Sequence, residues 1–272
     1  MKVICLIENT QGREDVLAEH GLCLYIETEK HRILADTGAS GGFIENAAKL
    51  GVKPEDVDTV VLSHGHYDHS GGILPFAEIN PRARIFMQKS AAKGYYHIYP
   101  DCEKYIGIDE KILSLPQVRL MDGGFCIDDE LEVFSGVKGR RLHPQGNRVL
   151  AFKTDSGFVE DDFRHEQYLV INENGYKVLV SGCAHNGILN ILDRYRELYG
   201  SDPDAVISGF HMMKKDGYTA EDEAVIKETA EELLKTDIKF YTGHCTGEYP
   251  CQLLKELMGE QLTVIHSGDR IM

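Results

Sequence analysis

The segment Ser63–Gly72 constrains this chain more than any other, because it reads Ser-His-Gly-His-Tyr-Asp-His-Ser-Gly-Gly. Three histidines and one aspartate fall within six positions, directly after the apolar run Val60–Leu62. Histidine nitrogens and carboxylate oxygens are good zinc ligands, whereas a buried set of neutral imidazoles without an ion is hard to satisfy with hydrogen bonds. The segment therefore predicts a metal-binding loop after a buried strand, with Ser70 capping a following helix. The alternative is a solvated loop that happens to be rich in histidine.

The spacing of the ligands within this loop favours two neighbouring ions. The first two histidines can point to one side of the loop, and the aspartate and the last histidine to the other. Two later histidines, His185 and His244, each follow a predicted buried strand and lie in turns rich in Gly and Cys. Loops at one end of a sheet can converge on one place. The predicted ligands are His64, His66 and His185 for the first ion, and Asp68, His69 and His244 for the second.

The order of predicted strands and helices indicates an α/β fold. Strands and helices alternate in two similar halves, which fits an αββα sandwich with helices outside and the metal site at one edge of the two sheets. The predicted ligands lie in both the first and the last third of the 272 residues, which favours a single domain over residues 1–272. An irregular segment at about 94–164 reads as an insertion that shapes the substrate pocket.

Charge and composition limit the classes of partner and the cellular location expected for this chain. A net charge of −15 repels phosphate backbones, so we expect no nucleic-acid partner. No apolar run approaches the roughly 18 residues of a membrane span, and Met1–Glu8 does not resemble a secretory signal. Seven cysteines without paired spacing indicate reduced thiols and a cytoplasmic location. We expect a monomer or homodimer acting on a small-molecule substrate.

The metal loop resembles the signature of the metallo-β-lactamase superfamily. The residue sequence of this loop is most similar to that of one branch of the superfamily. This branch contains archaeal dihydropterin-ribofuranosylaminobenzene-5′-phosphate synthases and bacterial relatives described as metal-dependent hydrolases. The resemblance runs from about Val3 to Ile265. The other segments that carry it are Leu34–Gly38, Ser181–Ile188, Gly209–Met212 and Thr242–Gly247.

The leading functional prediction is a metal-dependent hydrolase with a dinuclear site. Two divalent ions, expected to be Zn²⁺ with Mn²⁺ or Fe²⁺ as alternatives, would generate a hydroxide that attacks a small anionic or phosphorylated substrate. Asp68 would hold a metal and also accept a proton from the attacking water. The resemblance also implies an alternative, a transferase that joins a dihydropterin methyl diphosphate to ribofuranosylaminobenzene 5′-phosphate. A third alternative is a non-hydrolytic metal or redox protein.

Four residues near the predicted ligands are candidates for supporting roles or ligation. Asp36 ends a strand and is expected to hydrogen-bond a ligand histidine or the loop backbone, unless it only forms a turn. Cys183 stands where the wider superfamily has a bridging aspartate, and it is either a thiolate ligand or a small buried residue. The wider superfamily often has a metal histidine near His165 and Glu166, so both stay open as ligands.

Five further residues are predicted to contact the substrate. His211 is expected to act in catalysis by binding a substrate phosphate or oxyanion, with a plain structural role as the alternative. Arg140, Arg141 and Arg148 form the only tight arginine group, with Lys138 beside them, and Arg140 and Arg141 are predicted to bind phosphate. Tyr95 and Tyr96 are candidates for an aromatic clamp, or else ordinary packing residues.

Overall fold

The computed structural model describes residues 1–272 and contains seventeen strands and six α-helices. The strands are β1 (Lys2–Ile7), β2 (Cys23–Glu27), β3 (Arg32–Ala35), β4 (Thr59–Val61), β5 (Arg84–Gln88), β6 (Tyr95–Ile98), β7 (Glu103–Tyr105), β8 (Val118–Met121), β9 (Phe125–Cys126), β10 (Leu131–Ser135), β11 (Leu150–Thr154), β12 (Gly157–Glu160), β13 (Gln167–Glu173), β14 (Tyr176–Val180), β15 (Ala205–Ile207), β16 (Lys239–Thr242) and β17 (Leu262–Val264). The helices are α1 (Gly42–Lys49), α2 (Tyr67–Ser70), α3 (Ile73–Ile79), α4 (Ile188–Tyr199), α5 (Ala220–Leu233) and α6 (Glu248–Met258).

The strands form two large mixed sheets and one small antiparallel sheet. The first large sheet has the order β1-β2-β3-β4-β5-β8 and is parallel from β3 to β8. The second has the order β17-β16-β15-β14-β13-β10-β9 and is parallel from β14 to β17. Strands β13 and β14 form a hairpin. Its turn residues Asn174 and Gly175 both have positive φ, 55° and 87°, as a two-residue hairpin turn of type I′ requires.

Three apolar layers hold the two large sheets and their helices together. The layer between the sheets consists of inward-facing β-branched and aliphatic side chains, such as Ile26 and Val61 from the first sheet and Leu169 and Ile207 from the second. A second layer packs α1 and α3 on the outer face of the first sheet. A third packs α4, α5 and α6 on the second sheet. This order of layers confirms the predicted αββα sandwich.

The parallel strands place the predicted ligand loops at one edge of the sandwich. Strands β3 and β4 are parallel neighbours, and they lead into Asp36 and the loop that follows Val61. Strands β14, β15 and β16 are parallel neighbours in the other sheet, and each leads into a loop that carries a predicted site histidine. Because parallel strands end on the same side, these loops meet.

The predicted capping role of Ser70 is wrong. Ser70 ends α2, where its hydroxyl donates to the carbonyl of His66, and α3 begins only at Ile73 after Gly72. A Cβ atom on Gly72 would lie 2.2 Å from the Thr37 carbonyl oxygen, so the chain crosses a neighbouring loop too closely for a side chain at this point. Contact with another loop, and not local capping, decides where α3 begins.

Residues 94–164 contribute to all three sheets. Strand β8 belongs to the first large sheet, and β9 and β10 belong to the second. Strands β6, β7, β11 and β12 form the small antiparallel sheet. The small sheet packs beside the ligand loop through Tyr95, whose ring lies 4.0 Å from the ring of His165. None of the helices combines the length and apolar character needed to cross a bilayer.

Candidate metal centre

The structure brings all six predicted ligands into one buried cluster of two groups. In the first group, the Nε2 atoms of His64 and His185 are 3.3 Å apart, and the ring of His66 lies 4.5 Å from that of His64. In the second, the Nε2 atoms of His69 and His244 are 3.1 Å apart. Asp68 Oδ2 completes this group at 3.4 Å from His244 Nε2. No member of the six is more than 8% exposed.

Four of the five imidazoles are oriented by an oxygen at the other ring nitrogen. The Nδ1 distances are 2.8 Å for His64 to Ser63 Oγ, 2.6 Å for His69 to Asp36 Oδ2, 2.9 Å for His185 to Asn147 Oδ1 and 2.9 Å for His244 to Asn9 Oδ1. When Nδ1 donates to its oxygen, Nε2 carries a lone pair, and the Nε2 lone pairs face one another. Two lone pairs cannot form a hydrogen bond with each other, but both can bind one cation. His66 Nε2 is likewise buried without a hydrogen-bond partner.

The spacing of these atoms fits shared ions. Ligand atoms about 2.0–2.1 Å from a tetrahedral zinc lie roughly 3.3–3.4 Å from each other. The 3.3 Å between His64 and His185 and the 3.4 Å between Asp68 and His244 match that separation. The residues present therefore fit a metal centre.

The electrostatics of the cluster also suit metal binding. Burial and the neighbouring imidazoles lower the pKa of His64 and His185 well below the usual value, and burial lowers that of His66 to about 3. Neutral imidazole is the form that binds metal. Burial opposes ionisation of Asp68, but His69 and His244 hold its pKa far below the usual range. The first group thus offers neutral nitrogens, and the second offers an ionised carboxylate. Burial lowers the pKa of His69, but Asp36 and Asp68 raise it to about 9, so this ring must release a proton when it binds a metal.

Cys183 lies within reach of both groups of ligands. Its Sγ is 3.1 Å from His69 Nε2, and it falls within 4.8 Å of the ligand atoms of His64 and His185 and of those of His69 and His244. Burial raises the pKa of its thiol well above the usual value, so a nearby cation would be needed to stabilise the thiolate. The second thiol of this region, Cys245, donates to the Cys183 carbonyl at 3.5 Å.

Asp36 joins the first sheet to the ligand loop. Its Oδ1 accepts the backbone N–H of Ser63 at 2.7 Å, and its Oδ2 accepts the Ser63 hydroxyl at 2.7 Å. The same Oδ2 accepts His69 Nδ1 at 2.6 Å. Asp36 thereby sets both the path of the loop and the orientation of a predicted ligand.

Glu166 and His165 hold backbone instead of pointing into the cluster. Glu166 Oε1 accepts the backbone N–H of His185 at 2.7 Å, and its Oε2 accepts the Tyr168 hydroxyl at 2.6 Å. His165 Nδ1 accepts the N–H of Gly65 at 2.9 Å, and its Nε2 lies 3.0 Å from Asp161 Oδ2. Both ring nitrogens of His165 are therefore engaged, which leaves no lone pair for a metal.

The backbone is strained at several of these positions. Asp36, Ala184, His211 and His244 have positive φ values of 60°, 52°, 49° and 52°. Such conformations cost about 1–3 kcal/mol in residues other than glycine, and they cluster at functional sites.

His211 lies beside the first group without joining it. Its ring centroid is 4.1 Å from that of His185, and its Nδ1 is buried without a partner. On the other side it borders a small pocket whose wall includes Phe210, Met212 and Tyr218. His211 therefore separates this pocket from the ligand cluster.

The other predicted substrate residues differ in their proximity to the cluster. The guanidinium of Arg140 donates to Asn186 Oδ1 at 3.1 Å, one residue from His185. Arg141 is instead engaged on the helical layer, with Glu232 at 2.8 Å and Asp193 at 3.2 Å.

The two tyrosines also differ. Tyr95 is buried, and its hydroxyl donates to the Ser90 carbonyl at 2.6 Å. Tyr96 is half-buried on the small sheet, where its ring packs edge-on against Tyr105 and Phe158 at 5.3 and 5.0 Å. Neither hydroxyl is directed at the ligand cluster by a hydrogen bond in this structure.

Sequence reasoning missed Asn9, His20 and Asn147. Asn9 lies two residues after the end of β1, and a polar residue near a strand end is the signal that had identified Asp36. His20 Nε2 lies 3.4 Å from Asp68 Oδ2, although no local pattern marks it. Asn147 lies in the irregular segment and orients His185 from 38 positions away.

Comparisons with known proteins show which family and fold this chain is similar to. The sequence profile of the metallo-β-lactamase superfamily matches residues 17–218. The chain is 30% identical to the 7,8-dihydropterin-6-methyl-4-(β-D-ribofuranosyl)-aminobenzene-5′-phosphate synthase of Methanocaldococcus jannaschii, over 98% of this chain and 95% of that protein. It is 41% identical to the exodeoxyribonuclease WalJ of Streptococcus pneumoniae over 58% of this chain and 57% of that protein. A solved metal-dependent hydrolase of the β-lactamase superfamily is 25% identical, with a TM-score of 0.83 over 100% of this chain and 98% of that one.

Proposed function

Because this chain belongs to the metallo-β-lactamase superfamily, as its sequence predicted, we propose that the six-residue cluster is a two-metal centre that hydrolyses a small anionic substrate. The observation that carries the proposal is the convergence of imidazole Nε2 atoms whose Nδ1 atoms are held by oxygens. Zn²⁺ is the proposed ion, with Mn²⁺ and Fe²⁺ as alternatives that accept the same ligands.

The ligands divide between the ions as their distances suggest. His64, His66 and His185 hold the first ion, and Asp68, His69 and His244 hold the second. Cys183 is a proposed shared ligand, because its sulfur is within reach of both groups. When bound, the two ions supply positive charge that polarises the substrate and makes a water molecule acidic near neutral pH.

The side chains around the ions have separate roles in this proposal. Asp68 directs Oδ2 toward the imidazoles, which leaves Oδ1 to accept a proton from the attacking water. The unpartnered Nδ1 of His211 is placed to bind an oxyanion of the substrate. Arg140, fixed beside His185 through Asn186, is placed to bind a phosphate group.

The substrate class follows from the charge of the molecule. The net charge of −15 disfavours a long polyanion, so we propose a small soluble phosphorylated substrate and not nucleic acid. Because the chain is similar to an exodeoxyribonuclease, DNA must be included among the substrates that are tested.

The direct test combines elemental analysis with a hydrolysis screen. We expect about two divalent ions per chain, and activity on phosphoesters or lactones that chelation abolishes. His64→Ala should lose metal and activity together. His31→Ala is the matched control. His31 lies in the turn between β2 and β3, where its ring is hydrogen-bonded to Asp58 and Asp128 and to none of the proposed ligands. One ion or none in the wild-type protein would overturn the proposal.

A transferase reaction is the second candidate, favoured by the 30% identity to the synthase over nearly the whole chain. In this reaction the same centre would join a dihydropterin methyl diphosphate to ribofuranosylaminobenzene 5′-phosphate, with release of diphosphate. The test is diphosphate release in the presence of one or both substrates. Release that requires both would favour the transferase, and release from the diphosphate substrate alone would favour hydrolysis.

A further inference from the structure

We propose that His20 is an additional, solvent-facing ligand of the second metal site. This inference rests on the proposed function and adds a residue that the ligand loop does not contain. His20 Nε2 lies 3.4 Å from Asp68 Oδ2, the same oxygen that lies 3.4 Å from His244 Nε2. The rings of His20 and His244 are neighbours, with centroids 5.2 Å apart. His20, Asp68 and His244 thus present three ligand atoms within 4.8 Å of one another.

These distances indicate a shared ion more than a hydrogen bond. An N–H···O bond is usually 2.7–3.2 Å long, and a good charge-assisted bond is at the short end of that range. Two atoms that bind one tetrahedral zinc lie roughly 3.3–3.4 Å apart. The His20–Asp68 and His244–Asp68 separations both fall at that value, and His69 Nε2 follows at 3.7 Å.

The backbone holds His20 in place against Asp68. The N–H of Leu22 donates to the Asp68 carbonyl at 3.2 Å, and the N–H of Gly21 donates to Asn9 Oδ1 at 3.3 Å. A Cβ atom on Gly21 would lie 2.7 Å from the Asp68 carbonyl oxygen, so the two segments touch directly. Asn9 also orients His244, and one side chain therefore positions both histidines.

The exposure of His20 distinguishes it from the other ligands. Its side chain is 47% exposed, whereas those of His69 and His244 are at most 1% exposed. A buried ligand is held by packing, but an exposed one can leave the ion without disturbing the core. His20 is therefore the proposed ligand that can leave the second ion without disturbing the core.

The test is retention of metal by His20→Ala and His20→Gln. Glutamine keeps an N–H donor for Asp68 but lacks an imidazole lone pair, so it separates ligation from orientation of Asp68. The matched control is His266→Ala, because the His266 ring is bonded to the Thr10 hydroxyl. Each protein is dialysed against graded chelator, and the metal remaining per chain is measured. The visible spectrum of the Co²⁺-substituted forms gives a second readout.

We expect both His20 variants to lose one ion at a chelator concentration at least about tenfold lower than the wild-type protein does, because loss of a ligand should cost no less than loss of a residue that orients one. Their Co²⁺ bands should shift, while His266→Ala behaves as wild type. Retention in His20→Gln with loss in His20→Ala would make His20 an orienting residue and overturn the inference. Full retention of metal in both variants would also overturn the inference. Either result would leave the two-metal proposal intact. A wild-type protein with fewer than two ions would instead overturn the proposed function.

Discussion

Replacing Asp36 by asparagine tests how the chain prepares its ligands. The oxygen that accepts the Ser63 backbone N–H at 2.7 Å can remain, but the oxygen that accepts His69 Nδ1 at 2.6 Å becomes an amide NH₂. Two donors would then face each other. His69 must move its proton to Nε2 to accept this new donor, which removes the lone pair that points into the cluster. We therefore expect Asp36→Asn to weaken metal binding 10–100-fold.

The metal-free protein offers a second measurement of the same interaction. Burial lowers the pKa of His69, but Asp36 and Asp68 raise it from the ordinary 6.5 to about 9. At 1.36 kcal/mol for each pKa unit, the protonated ring contributes about 3 kcal/mol to the free energy of unfolding. Because the folded pKa is the higher one, this stability is complete below pH 6.5 and is lost as the pH rises through about 9. Asp36 supplies only part of it.

We expect Asp36→Asn to lower the free energy of unfolding by about 1–3 kcal/mol at pH near 6, and by clearly less at pH near 10. Urea unfolding of chelator-treated protein measures both values. Asp161→Asn is the matched control. It breaks another buried carboxylate–imidazole pair, in which Asp161 lies 3.0 Å from His165, and neither residue is one of the six proposed ligands. An equal loss for Asp36→Asn at both pH values would refute the role of the His69 charge.

Four further outcomes are expected. Chelation should lower the melting temperature, and metal restored at about 1,000 times its dissociation constant should add about 4 kcal/mol; a melting curve indifferent to metal would contradict this. Cys183→Ser should reduce the metal retained per chain, whereas Cys251→Ser on α6 should not, and equal retention would remove Cys183 from the ligand set. Gly71→Ala should destabilise by more than about 3 kcal/mol, because its Cβ would lie 2.0 Å from a carbonyl oxygen, while Gly94→Ala meets nothing closer than 3.4 Å. Arg140→Ala should raise the Michaelis constant for a phosphorylated substrate more than it lowers turnover, whereas Arg141→Ala, which loses only its pairs with Glu232 and Asp193, should not, and unchanged affinity in Arg140→Ala would discard that contact.

The metal loop and the fold could be predicted because their signals are local. Asp68 and His69 are adjacent in the chain and follow a buried strand, so metal chemistry is visible within a few residues. The β13–β14 hairpin is marked by Asn174 and Gly175, the two residues that its turn geometry requires. Apolar residues at helical spacing, such as Ile188, Ile191 and Tyr195, likewise mark α4 in the sequence.

The surroundings of the ligands could not be predicted, because distant segments supply them. Asn9 bonds His244 across 235 positions, and Asn147 reaches His185 from an irregular segment. An asparagine in a loop has many possible local roles, and only the packing of the two sheets selects this one. The same applies to His20, which approaches Asp68 only because Gly21 allows two loops to touch.

The positive φ angles at Asp36, Ala184, His211 and His244 set a limit on how this protein can be stabilised. Glycine adopts this conformation without strain, but at Asp36 it would also remove the carboxylate that accepts hydrogen bonds from Ser63 and His69. At three of the four, that change would delete an imidazole or a carboxylate of the centre or its border. Ala184→Gly alone relaxes the backbone without deleting such a group. A laboratory selection for heat resistance is therefore expected to relax this backbone at Ala184 and to retain the strain at the other three positions.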